Sequence, residues 1–112
     1  EDAKKIDDKN SEVYRALGYI NEIKPNLSEA IRNYNKSIKL DSHNILAYVG
    51  RSHVNNMLGA FNLAVNDLKK ASNFDKENKV SSVYENLCRL GSSGFLSEEE
   101  TLENCYIAIN SD

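Results

Sequence analysis

The chain has 112 residues, 40% of them apolar, and its 14 Lys and Arg against 17 Asp and Glu give a net charge of -3. That length and balance make about one folded soluble domain, and no run approaches the roughly 20 apolar residues that a membrane-spanning helix needs. Both charge signs are mixed along the chain, which argues against nucleic acid, whose phosphates call for a basic face.

In chain order, Val13, Tyr14, Leu17 and Ile20 recur at three- and four-residue intervals, which predicts a first helix from Ser11 to Lys24. Pro25 breaks it, since proline has no amide hydrogen and disfavours a helical Lys24. Asn26 and Glu29 stand three apart, as a capping side chain and its partner do. Ala30, Ile31, Tyr34 and Ile38 then continue a second apolar face to about Leu40. Ala47, Tyr48, Val54 and Met57 mark a third helix, closed by Gly59, and Phe61, Ala64, Val65, Leu68 and Ala71 mark a fourth. A last pair spans Val80 to Leu90 and about Glu98 to Asn110, with Ser97 and Glu100 as a capping box and three Glu at the positive end of the helix dipole.

One phrase recurs across these elements. "AKKIDDKN" at 3–10, "SIKLDSHN" at 37–44 and "ASNFDKEN" at 71–78 each open with a small residue and carry an apolar residue, an Asp and an Asn at the same intervals, 34 residues apart. A two-helix unit of that length cannot bury its apolar face alone, so it stacks on a copy of itself, and the phrase is the turn between copies. Its Asp and Asn are turn and capping chemistry. The small residue keeps the neighbouring hairpin close.

These residues resemble the tetratricopeptide repeat, whose signature over 34 residues is W-x2-L-G-x2-Y, then A-x3-F, then P. Tyr14, Leu17, Gly18, Ala30 and Tyr34 match it in the first full period, while Asn21 and Ser42 replace the usual Tyr and Pro. In the second, Tyr48, Ser52, Ala64 and Leu68 are acceptable, but Arg51, Asn55 and Lys76 depart from it. Gly18 facing Ala30, and Ser52 facing Ala64, would be the small pairs at the two helix crossings. The resemblance covers residues 1–78 and weakens after that. It implies an all-α fold of antiparallel helical hairpins stacked as a right-handed solenoid of about three hairpins. Residues 1–10 would end a preceding repeat, 11–44 and 45–78 would be two repeats, and 79–112 a degenerate third repeat or capping hairpin. The chain is then expected to be a segment of a longer protein.

The family binds peptides or helices of partner proteins in a concave groove lined by first helices. Here the resemblance puts Arg15, Tyr19, Glu22, Val49, His53, Asn56 and Met57 on that face, with Glu12, Ile23 and Leu46 beside them and Val83, Leu87 and Leu90 as a continuation. A protein-interaction scaffold is the expected role, and self-association within a larger array, or a regulatory domain of an enzyme, is the alternative. Family members that grip a chaperone's C-terminal carboxylate use Lys, Asn and Arg at places that here hold Arg15, Tyr19, Gly50, Val80 and Tyr84, so that partner is not expected.

An enzyme has little support. His43 and His53 lack metal-ligand spacing, and no phosphate-binding glycine loop or nucleophile elbow is present. The carboxylates read as scattered solubilising charges, and no cofactor is expected. Cys88 and Cys105 read as two buried thiols in a reducing, cytoplasmic setting, facing the seam of the last two helices as packed thiols or as a redox switch. The sequons at Asn26 and Asn35 are of a kind that chance supplies in an Asn-rich chain.

Overall fold

The structure is a computed structural model that describes residues 9–91 and 94–110. Most of the first copy of the repeated phrase, and with it the preceding-repeat expectation, lies outside the described residues. Among those residues the fold is all-helical: α1 (Ser11–Ile23), α2 (Leu27–Leu40), α3 (Ile45–Met57), α4 (Phe61–Phe74), α5 (Ser81–Leu90) and α6 (Glu98–Asn110). Short turns close α1 with α2, α3 with α4 and α5 with α6 into hairpins, and successive hairpins pack through α2 on α3 and α4 on α5.

Local chemistry sets the ends of these helices. The side-chain oxygen of Asn10 accepts from the Glu12 amide at 2.8 Å, that of Asn26 from the Glu29 amide at 3.3 Å, and that of Asn44 from the Ala47 amide at 3.2 Å. Each satisfies one of the amides that a helix start leaves without a partner. Gly59 takes φ +81° in the turn after α3, a conformation that costs a residue without a β-carbon little. Ser97 and Glu100 form the expected reciprocal box before α6, at 3.0 Å in both directions.

Departure from the 34-residue period begins after α4. The first three turns keep it, with α3 starting 34 residues after α1, but α5 starts 36 after α3 and α6 starts 37 after α4. Asn78, expected to cap like Asn44, instead adopts φ +53°, and the carboxylate of Asp75 takes over, accepting from the Lys79 and Val80 amides at 3.0 and 2.8 Å. The tyrosines show the same shift. Tyr48 donates to the Ser42 carbonyl at 2.9 Å and Tyr84 to the Asn78 side chain at 2.9 Å, each six residues back. Tyr84, not Ser82, is therefore the counterpart of Tyr48. With this register Val83 and Leu87, expected on the groove, are buried in the core, and Leu90 packs against it.

The main core joins the second and third hairpins through Tyr48, Val65, Leu68, Ala71, Val83, Tyr84, Leu87 and Leu96, and a smaller cluster of Ala30, Tyr34 and Val54 joins the first and second. Burial of each large apolar side chain contributes roughly 1.5–3 kcal/mol, enough to hold stacked hairpins that could not stand alone. Asn21 in the first hairpin and Arg51 and Asn55 in the second find polar partners across their hairpins. Asn33 donates to Asn21 at 2.7 Å, and Asn55 to Asp67 at 3.4 Å. Arg51 binds the same Asp67 carboxylate with Nε at 3.0 Å and Nη2 at 2.7 Å. Asp67 is thus buried and hydrogen-bonded, which corrects its reading as a solubilising charge, while the buried Asp75 does the turn and capping work expected of the phrase.

The helix crossing in the first hairpin also involves a large side chain. A β-carbon added to Gly18 would meet the Tyr34 ring at 2.7 Å, and one added to Gly50 would meet the same ring from α3. The Tyr34 ring is the nearest side chain to Gly18. A further correction is that Cys88 and Cys105 are joined in a disulfide and not present as free thiols. No described helix is long and apolar enough to cross a membrane.

Candidate functional site

A cleft of about 260 Å³ lies where α1, α3 and α5 meet on one side of the stack. Five of the seven residues expected on the groove line it: Arg15, Tyr19 and Glu22 from α1, and Val49 and His53 from α3. The 34-residue period explains the convergence, because consecutive hairpins present equivalent positions on the same face. Asn56 and Met57 are not among its lining residues and stand at the end of α3. The remaining walls are Leu46, Tyr34, Gly50 and Asn86. Of these Tyr34 belongs to a second helix, where the repeat pattern alone puts a core side chain.

Tyr34 reaches the cleft because α1 and α3 each put a glycine against its ring. Its phenol donates to Oε2 of Glu22, and Oε1 of Glu22 meets Nδ1 of His53. Burial first, and then the hydrogen bond and charge of Glu22, push the Tyr34 phenol far above its ordinary value, so it stays protonated and donates. The Glu22 side chain is only 8% exposed, and Tyr34 and His53 give its carboxyl oxygens the partners that burial requires. His53 is well exposed, and with Nδ1 occupied its Nε2 is the ring atom left to meet a ligand.

At the outer edge Arg15 pairs with Glu12, Nη2 to Oε1 at 2.7 Å. That pair and the hydrogen bond from Asn44 to Glu12 at 2.6 Å tie the start of α1 to the start of α3. Between these polar groups the cleft wall is apolar, built from Leu46, Val49 and the exposed ring of Tyr19. The result is an apolar trough with a satisfied carboxylate on its floor and a cation at its rim.

None of the lining residues is Ser, Thr or Cys, so the cleft offers no hydroxyl or thiol nucleophile beyond its tyrosines. Among the described residues no group of three His, Cys, Asp or Glu is placed to hold a metal ion. Compared with known proteins, the chain matches no protein-family model and no curated sequence.

Proposed function

We propose that the three hairpins are a tetratricopeptide-type solenoid that acts as a protein-interaction scaffold, and that the cleft between α1 and α3 takes a peptide or helix of a partner protein. The observation that carries this reading is the convergence of Arg15, Tyr19, Glu22, Val49 and His53 on one trough. A segment with one apolar side chain seated against Leu46 and Val49, and polar backbone within reach of His53 and Arg15, suits it. Catalysis is not part of the proposal, and the disulfide removes the thiol argument for a cytoplasmic setting. A chaperone's C-terminal carboxylate remains an unfavoured partner: with the register shift, α5 offers Ser82 and Asn86 where Lys and Arg would be needed.

The test is selection of binding peptides from a displayed random library, followed by titration against the unmutated chain and Val49→Asp, with both shown equally helical by circular dichroism. Peptides that bind the first and lose at least about tenfold in affinity for the second, equivalent to about 1.4 kcal/mol, support the cleft. Equal binding by both chains removes it.

A second reading rests on α6. Its Leu102, Tyr106 and Ile109 are 65%, 68% and 81% exposed, an apolar face at the end of the stack. α2 and α4 each pack against the first helix of the next hairpin, and among the described residues no further hairpin follows α6, so self-association through α6 is the alternative assembly. A mass of one chain in light scattering at high concentration would remove it.

A further inference from the structure

The third hairpin is held together differently from the other two. By the helix starts, Cys88 and Cys105 stand where the second hairpin has Ser52 and Leu68 and the first has Gly18 and Tyr34. That is the point where a small residue on the first helix lets a large one on the second come close, as the Tyr34 ring against Gly18 shows. In the third hairpin two side chains of intermediate size occupy it, and a covalent bond joins them.

Non-covalent attachment of α6 is correspondingly thin. Second helix α2 buries Ala30, Tyr34 and Ser37, and α4 buries Ala64, Val65, Asp67, Leu68 and Ala71, whereas α6 has no fully buried residue. Only Ile107 and Ala108 of α6 pack against the core, both partly exposed, while the buried Leu96 lies in the turn before it. An element with so little buried apolar area sits at the low end of local stability unless something else anchors it. The disulfide is that anchor, since joining the helices removes most of the freedom that undocking would gain.

Both cysteines are partly exposed and line a surface cavity of about 360 Å³ with Glu85, Arg89, Ala108 and Ile109. A thiolate can therefore reach the bond from solvent. We propose that Cys88–Cys105 is a redox-modification site whose substrate is a dithiol reductant, and that its reduction undocks α6 while α1 to α4 stay folded. In the reaction a thiolate of the reductant attacks one sulfur, a mixed disulfide forms and the other cysteine leaves as a thiolate. The reductant's second thiol then displaces the first cysteine. The protein gains two electrons and two protons as two thiols, and the reductant becomes a disulfide. An oxidising compartment keeps α6 docked, and a reducing one releases it.

The experiment is amide hydrogen exchange on the full chain before and after dithiothreitol, with thiols counted in parallel. The expected result is no free thiol before and two after, with exchange at Ile107 and Ala108 faster by on the order of tenfold or more, and amides of α2 and α4 unchanged. A chain carrying Cys88→Ser and Cys105→Ser should exchange like the reduced protein without reductant. Free thiols in untreated protein, a bond that dithiothreitol leaves closed, unaltered α6 protection after full reduction, or simultaneous loss of protection in all helices would each overturn the proposal. Reduction of the unmutated chain keeps the test decisive should the double variant fail to fold.

Discussion

Arg51 of α3 grips Asp67 of α4 through two parallel hydrogen bonds, and the Asp67 side chain is only 6% exposed. The pair holds α3 to α4 across the second hairpin. Breaking it from one side strands a buried carboxylate that keeps only the longer bond from Asn55. Arg51→Leu should therefore cost about 3 kcal/mol of stability in urea denaturation, and Arg51→Leu/Asp67→Leu should recover most of that. A single variant as stable as the unmutated chain would show that the pair holds nothing.

Tyr34 lies between Gly18 and Gly50, so its ring occupies space that a methyl group at either position would claim. Gly→Ala in a helix normally gains up to about 1 kcal/mol. Here overpacking should win, and Gly50→Ala should destabilise by about 1–3 kcal/mol. Combined with Tyr34→Leu, the alanine should cost clearly less than it does alone, a coupling that a double-mutant cycle in chemical denaturation reads directly.

Asn44 and Asn10 both cap helices, but Asn44 also donates to Ser11 at 2.8 Å and to Glu12 at 2.6 Å, across the boundary between the first two hairpins. Loss of a cap alone costs about 1 kcal/mol, and loss of the bridging bonds adds to it. Asn44→Ala should lower stability by about 2–3 kcal/mol and Asn10→Ala by about 1, compared by thermal unfolding in one buffer.

Glu12 gives the acid dependence a sign. The hydrogen bond from Arg15 lowers its carboxyl below the ordinary value of 4.5; partial burial opposes this, and the Asn44 bond and the Arg15 charge add to the lowering. A carboxyl lowered in the folded state contributes stability that is complete above the ordinary value and lost as pH falls toward the folded one. Stability should hold from pH 7 to about 5 and fall below about 4.5, less steeply in Glu12→Gln. The difference should be small, because the side chain is largely exposed and screened. Identical acid limbs for the two chains would remove Glu12 from the account.

Helix positions were legible because their signals are local. Pro25, Gly59, Asn26, Asn44 and the Ser97/Glu100 box lie within a turn of the ends they set, and the apolar spacing marks which side faces inward. Most of the cleft was legible for a related reason: the same place in consecutive repeats comes to the same face, which brought Arg15, Tyr19, Glu22, Val49 and His53 together. Tyr34 escaped because its role depends on two glycines, one of them in the next hairpin. Val83 and Leu87 were placed on the wrong side because a longer turn, with Asn78 at positive φ, rotates the third hairpin out of the 34-residue register.

What the sequence by itself determined is therefore, among the described residues, the all-helical fold, its six helix spans and its division into hairpins, since backbone hydrogen bonds, caps and breakers act over four or five residues. Only the tertiary structure decided that Glu22 meets His53 31 residues away, that Arg51 meets Asp67 16 away, and that Cys88 closes on Cys105 17 away. Those meetings depend on how far each turn rotates one helix against the next, and a shift of two residues moves a side chain on a helix of 3.6 residues per turn to a different face.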